Sequence, residues 1–238
     1  MHKKPLARVL AALCGPLVLL LLLTACGGDN NSGTPGAQQL IKNAQAAIQK
    51  VSSYHFNLKV QNLGASSKLP IQSADGDIVT PDKLQATANV VFGGATAQAQ
   101  MIAIGGKQYL NIFGGWQQTT GLLDPRTLTD SQKGVAAILG QLQNPSTPKD
   151  SSTDGTPCWS ITGKLDASYL AGISGGGAPA GTKDDVQVCI GKSDNLPYLI
   201  VVTGVATEGD SPQTVRTFKL SKFNEKITIT APPITTQS

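Results

Sequence analysis

Histidine is nearly missing from this 238-residue chain, which has only His2 and His55. His2 falls in an N-terminal leader, described below, so one imidazole serves the working protein. That excludes multi-histidine metal centres and leaves a single base for any Ser-His-Asp arrangement. Charged residues are sparse at 14%, and aromatic residues number eleven, five Phe, two Trp and four Tyr. With 26 glycines and 14 prolines, so few aromatic anchors point to open, turn-rich β structure over a helical bundle. The formal net charge of +4 is largely a property of the leader. Lys3, Lys4 and Arg8 lie there without an acid, so 16 of the 19 bases face all 15 acids elsewhere. A body that close to neutral has no electrostatic footprint for nucleic acid. There is no HExxH, GxxxxGK[ST] or CxxC motif. No enzyme activity, metal or cofactor is expected.

What is present begins with an address. A basic n-region is followed by an apolar run from Leu17 to Leu23 and then by Leu23-Thr24-Ala25-Cys26. Basic flank, short apolar stretch and small residues make a secretory signal over residues 1–25. An uncleaved anchor is the alternative, but Gly15-Pro16 interrupts an already short span. Leu-Thr-Ala-Cys resembles a bacterial lipobox, whose cysteine receives a diacylglyceryl thioether and becomes the first residue after cleavage. Cys26 is therefore the expected lipidation site, against a bland cysteine beside an ordinary cut. Residues 26–36 read as a flexible tether, ten of whose residues span roughly 17–19 Å. The expected location is the extracytoplasmic face of the cell membrane, held there by lipid.

That compartment is oxidising. Cys14 leaves with the leader and Cys26 with the lipid, so Cys158 and Cys189 remain and are expected to pair. Strand alternation places both on polar faces, where a cross-strand bridge can form. Closing 31 residues contributes about 3.5 kcal/mol in the chain-entropy model.

Thr34-Pro35 offers a cap and first-turn proline, and Leu40, Ala44, Ala47, Ile48 and Val51 recur at helical spacing, predicting a helix over 36–51. A second is expected over 130–143, capped by Asp130, with Val135, Ile138, Leu139 and Leu142 as its stripe. A short helical turn follows Asp166. Nearly everything else alternates with period two: Tyr54–Gln61, 84–92, 95–103, 107–113, 158–165, 183–190, 196–205, 213–222 and 226–230. This is the one-face-apolar pattern of an antiparallel meander. Leu196–Val205 is apolar on both parities, so both its faces should be covered. Residues 37–230 form one expected domain and 231–238 a frayed tail. Asp75-Gly76-Asp77 and Asp184-Asp185 read as turn and strand-start residues, His55 as a solvated edge residue, and residues 175–179 as a flexible loop more than a ligand lid. Trp116, after two glycines, is either a core anchor, the favoured reading, or a membrane-facing rim residue.

The apolar faces of 84–92 and 95–103 are built on alanine: Ala86 and Ala88 in the first, Ala97 and Ala99 in the second. Alanine is a small filler and a poor strand former, so such a face is underfilled unless something packs on it. One filler is an amphipathic helix settling onto a shallow floor. The other is an apolar guest, since an empty apolar volume costs about 24 cal/mol per Å3. Leu58, Leu84, Ala86, Ala88, Val90, Ala97, Ala99, Met101, Val135, Ile138 and Leu139 are the candidate lining.

Several short features carry a resemblance to a known family. They are Ser53-Tyr54-His55-Phe56, Gly106-Lys107-Gln108-Tyr109 leading to Trp116, Asp124-Pro125, and Phe223-Asn224-Glu225-Lys226-Ile227-Thr228-Ile229 before Pro232-Pro233. Together with the lipobox, tether and helix order, these resemble the mycobacterial LppX/LprA/LprF/LprG lipoproteins, with the Lol carriers similar in architecture. The resemblance implies an α+β fold: a strongly curved antiparallel half-barrel sheet with two or three helices on its concave face. It implies acyl chains of a lipid or lipoglycan held in an apolar cavity, carried through the envelope by a monomer, with an envelope transporter as candidate partner. A structural or regulatory lipoprotein that binds another protein and holds no lipid is the alternative.

Overall fold

The computed structural model describes residues 34–234, except 68, 69, 93, 113, 175 and 176. The leader, Cys26 and most of the tether lie outside these residues. From Thr34 onward the chain forms one compact unit. Its strands are β1 (Ser53–Gln61), β2 (Ile71–Val79), β3 (Lys83–Phe92), β4 (Ala95–Ile104), β5 (Lys107–Asn111), β6 (Gln117–Thr119), β7 (Lys149–Thr153), β8 (Thr156–Asp166), β9 (Lys183–Gly191), β10 (Pro197–Thr203) and β11 (Val215–Ser221). Helices are α1 (Ala37–Ile48), α2 (Pro125–Thr129), α3 (Val135–Gly140) and α4 (Ala171–Ser174), the last preceded by a 3-10 turn over Ala167–Leu170.

All eleven strands join one curved, open antiparallel sheet, in the order β6-β5-β4-β3-β2-β1-β11-β10-β9-β8-β7. Two meanders, β1–β6 and β7–β11, meet where the first strand pairs with the last, Leu58 opposite Phe218. Residues of alternating parity fall on opposite faces. The face carrying Tyr54, Ile78, Leu84, Ala103, Val188 and Ile200 is concave and receives the helices.

Helix α1 forms because Leu40, Ile41, Ala44 and Ile48 make one buried stripe at 3.6-residue spacing. It begins at Gly36, whose carbonyl accepts from Gln39 and Leu40 N–H, so Thr34 and Pro35 precede it and do not cap it. Its stripe packs against α3 and β9. Ile161, Leu165, Val188 and Ile190, all at most 1% exposed, complete the core beneath. Each such side chain contributes about 1.5–3 kcal/mol by burial, so the helices are held mainly by the C-terminal half of the sheet.

Several elements differ from expectation. The helix expected over 130–143 is shorter, α3 over Val135–Gly140 with Gly134 and not Asp130 at its start, and a separate helix, α2, precedes it. Asp124 caps α2 through Arg126 N–H, and Gly134 N–H bonds back to the Asp130 carbonyl before α3 starts. A Cβ on Gly134 would collide with the Leu128 carbonyl, so this close turn demands glycine. Residues 71–79 form a full strand in which Asp75-Gly76-Asp77 is central, and β6 and β7 are further strands that alternation alone did not single out. Residues 226–230 are not a strand. Lys222 and Asn224 take positive φ values of 50° and 62°, and the chain is tied back through Ser53, which bonds Asn224 N–H and the Glu225 carbonyl. In β10 Ile200 and Val202 are buried, but Leu199 and Val201 are only half-covered. The helical turn after Asp166 is present, with the Ser168 N–H held by the Asp166 carboxylate. Asp184-Asp185 starts β9 as expected.

Cys158 and Cys189 form a disulfide with Cα atoms 5.5 Å apart. They are diagonal neighbours: Cys158 stands opposite Gly191 and Cys189 opposite Ser160. Both share the convex face but are buried there, with the Thr153 hydroxyl 3.9 Å from the Cys158 sulfur.

Candidate functional site

Register places the small residues of the sheet side by side. One rung across β1–β4 reads Leu58, Ala74, Ala88, Ala99, and the next reads Phe56, Gly76, Ala86, Met101. Val90 stands opposite Ala97 one rung farther on. These residues make a trough with an alanine and glycine floor, flanked by the larger Leu58, Phe218 and Met101. Leu58, Ala74, Val90 and Ala99 are buried outside the cluster that joins helices to sheet, whereas Ala88 and Ala97 are half-exposed.

The expected lining therefore divides. Leu58, Ala86, Ala88, Val90, Ala97, Ala99 and Met101 lie together on the trough. Leu84 lies one rung along, 1% exposed beneath the helices, and Ile138 and Leu139 are sealed in the core beside α1. Val135 lines a separate cavity of about 230 Å3, together with Ile48, Val51, Tyr54, Leu128 and Ala136, with Gln49, Thr80, Pro81 and Thr129 at its edge. Burial of the Tyr54 phenol pushes its pKa well above the usual value.

Ala74, Gly76, Phe218 and the residues at the end of α1 escaped the sequence reading. Ala74, Gly76 and Ile78 do alternate with Asp75 and Asp77, which was the available signal, but the Asp-Gly-Asp run reads first as a turn.

One end of the concave face is polar. Arg216 stands opposite both Val60 and Val202, is 5% exposed, and pairs with Asp210 at 2.8 Å. Asp210 also accepts from Ala206 and Thr207 N–H, so its charge is well solvated by the chain. Asp184 accepts from Val205 N–H through one oxygen. Burial raises its carboxyl pKa, opposed by that hydrogen bond and by Arg216. Asp184 Oδ2, Thr207 Oγ1 and Arg216 Nη1 are buried and unpartnered among the described residues.

The convex face differs in character. His55 is not a solvated edge residue. It sits on an inner strand, Nδ1 2.8 Å from Asp77 and Nε2 3.2 Å from Asp75. Trp116 is half-exposed and outside the core cluster, which corrects the expectation of a core anchor. It borders a cleft of about 260 Å3 with Asp75, Asp77, Gln85, Thr87, Gln100 and Ile102 of the convex parity, and the cleft also touches Gly76, Ala86 and Met101, which belong to the trough rung. No group of His, Cys, Asp and Glu suited to a metal ion occurs among the described residues. Nor is any helix there long and apolar enough to cross a membrane.

Comparison with known proteins gives a consistent picture. Residues 36–229 match the model of the LppX_LprAFG lipoprotein family. The chain is 25% identical over 252 residues to lipoprotein LprA of Mycobacterium tuberculosis, covering 97% of this chain and 99% of that one. It is 23% identical over 237 residues to the lipoarabinomannan carrier protein LprG of Mycobacterium bovis, covering 95% and 96%. The crystal structure of LprF from Mycobacterium bovis superposes with a TM-score of 0.69 at 21% identity, covering 84% of this chain and 99% of that one.

Proposed function

The chain belongs to the LppX_LprAFG lipoprotein family, and on that premise we propose that it is a lipid-anchored, extracytoplasmic carrier of acylated lipid or lipoglycan. Acyl chains lie along the concave trough and are carried or presented within the cell envelope. Cys26 bears the anchor, and residues 26–36 tether the domain to the membrane surface. An envelope transporter that hands over or accepts the lipid is the partner this role calls for.

The observation that carries this reading is the rung Leu58-Ala74-Ala88-Ala99, a floor of small side chains in register across four strands. Its apolar surface is worth about 25 cal/mol for each Å2 that a hydrocarbon chain covers. The carrier name of LprG is consistent with such a role.

Size governs the mechanism. A cavity of about 150 Å3 holds one benzene. The 230 Å3 space beside Val135 and Tyr54 therefore takes a short stretch of hydrocarbon and not two full chains. Loading a two-chain lipid requires α2 and α3 to shift away from the sheet, coupling the cavity to the trough. The guest supplies the differential affinity for the open state. The mechanism needs no bond-making residue.

Organic extraction of untagged protein purified from its native membrane, followed by mass spectrometry, tests the proposal. Lipid in stoichiometric amount is the expected result. Protein free of lipid would leave the second reading, an envelope lipoprotein that binds another protein. The sealed packing of Ile138 and Leu139 against α1 favours that second reading.

A further inference from the structure

We propose that the convex face carries a second, separate site: a saccharide-binding cleft with Trp116 as its stacking platform. Asp75, Gln85, Thr87 and Gln100 supply hydrogen bonds to sugar hydroxyls. The site lies on the opposite side of the sheet from the trough and does not rest on the carrier reading.

Two adjacent rungs form its floor. Asp75, Thr87 and Gln100 stand opposite one another across β2, β3 and β4, as do Asp77, Gln85 and Ile102. Trp116, the residue before β6, closes the cleft. Its loop is braced, since Gly114 N–H donates to Asn111 Oδ1 at 2.9 Å and Asn111 Nδ2 donates to Gln100 Oε1 at 3.3 Å. The indole N–H has no hydrogen-bond partner among the described residues.

The polar groups are held in place and only partly used. Asp77 is spent, with one oxygen bonded to His55 and the other accepting from Gln85 Nε2 at 2.9 Å. Asp75 uses one oxygen for His55 and Asn57 Nδ2, which leaves Oδ1 without a partner among the described residues. Gln85 keeps its carbonyl, Gln100 its amide N–H groups, and Thr87 its hydroxyl. The free set is thus one carboxylate oxygen with neutral donors and acceptors beside an aromatic face. A cation would want more free negative charge. A sugar ring fits this set, because its hydroxyls both donate and accept and its C–H face packs on indole. A cavity near 150 Å3 takes benzene, so 260 Å3 suits one six-membered sugar ring.

Saturation-transfer NMR on the full mature protein, with mannotriose, maltotriose and cellotriose as probes, tests the site. At least one should bind saturably, with affinity reduced about tenfold or more in Trp116→Ala and in Asp75→Asn. Ala88→Phe, which alters the trough on the other face, should leave that binding unchanged. Absence of binding by all three sugars overturns the proposal, as does unchanged affinity in both cleft variants. Pentalysine binding in place of the sugars would overturn it too, because it assigns the cleft to cations. None of these results bears on lipid content, which the extraction experiment reads separately.

Discussion

Ala88 stands directly opposite Ala99 across the β3–β4 ladder, with Ala74 as its neighbour in β2. Three methyl groups in one rung leave a depression where larger side chains would close the face. Phenylalanine at position 88 would occupy the space proposed for hydrocarbon. Ala88 is half-exposed, so the added ring meets open trough more than packed core. Ala88→Phe, and likewise Ala99→Phe, should lower co-purifying lipid at least about tenfold, the equivalent of 1.4 kcal/mol. Ala88→Phe should melt within a few degrees of wild type, and Ala99→Phe, at a buried position, lower than Ala88→Phe. Unchanged lipid-to-protein ratios in both folded variants would count against the trough as the site.

Gly76 makes the same floor from the other direction. A Cβ there would run into the Gln85 carbonyl and lie 2.8 Å from Ala86 Cα, both on the neighbouring strand. Backbone cannot yield as a flexible side chain can. Gly76→Ala should destabilise by about 1–3 kcal/mol through overpacking, read as a lower denaturation midpoint in urea. A midpoint equal to wild type would mean that β2 and β3 separate there at little cost.

How far the sequence could be read is visible in these same residues. The stripe Leu40-Ala44-Ile48 and the alternation of β3 and β4 are local patterns, and local patterns survive folding. The alanine floor was legible for that reason. β2 was not, because Asp75-Gly76-Asp77 carries strong turn chemistry, overridden here by ladder pairing and by His55 bridging the two carboxylates. The break between α2 and α3 was hidden for a different reason. It depends on Gly134 passing close to the Leu128 carbonyl, a backbone contact that the spacing of apolar side chains does not register. Which apolar positions face the trough and which are sealed beneath helices is set by sheet curvature and helix placement. Hence Ile138 and Met101 looked alike in the sequence.

The Cys158–Cys189 bridge ties β8 to β9 in the half of the sheet that supports the helices. Its loss releases the unfolded chain from a 31-residue closure, worth about 3.5 kcal/mol. For a domain of this size that corresponds to a melting temperature lower by about 7–14 °C in a Cys158→Ser/Cys189→Ser variant. Calorimetry with and without reductant checks it. A wild type indifferent to reduction would show that the bridge adds nothing to the packing around it.

Cys26 is the one residue on which the anchor proposal turns. Two or more acyl chains give durable membrane attachment, and a protein without them has no comparable hold. Cys26→Ser should move the protein from the membrane pellet to the soluble fraction after cell lysis. Its melting temperature should be unaffected, because Cys26 precedes the compact unit that starts at Thr34. Continued sedimentation of Cys26→Ser with membranes would refute lipidation at this position.

Asp184 is 1% exposed, with one oxygen bonded to Val205 N–H and the other unpartnered. Burial raises its carboxyl pKa above the ordinary carboxylate range, against the opposing pull of Arg216. A carboxyl with a higher pKa folded than unfolded holds more protons when folded, between the two values. Stability therefore falls as pH rises across that interval, and the deficit persists above it. Asp184→Asn keeps an oxygen for Val205 and cannot ionise. The two proteins should melt together well below pH 4, where the unfolded carboxyl is also protonated. As pH rises toward neutrality the variant should become the more stable, by about 2–4 °C for each kcal/mol of penalty removed. A variant that melts lower than wild type at neutral pH would mean that the attraction between Asp184 and Arg216 outweighs the cost of burying the charge.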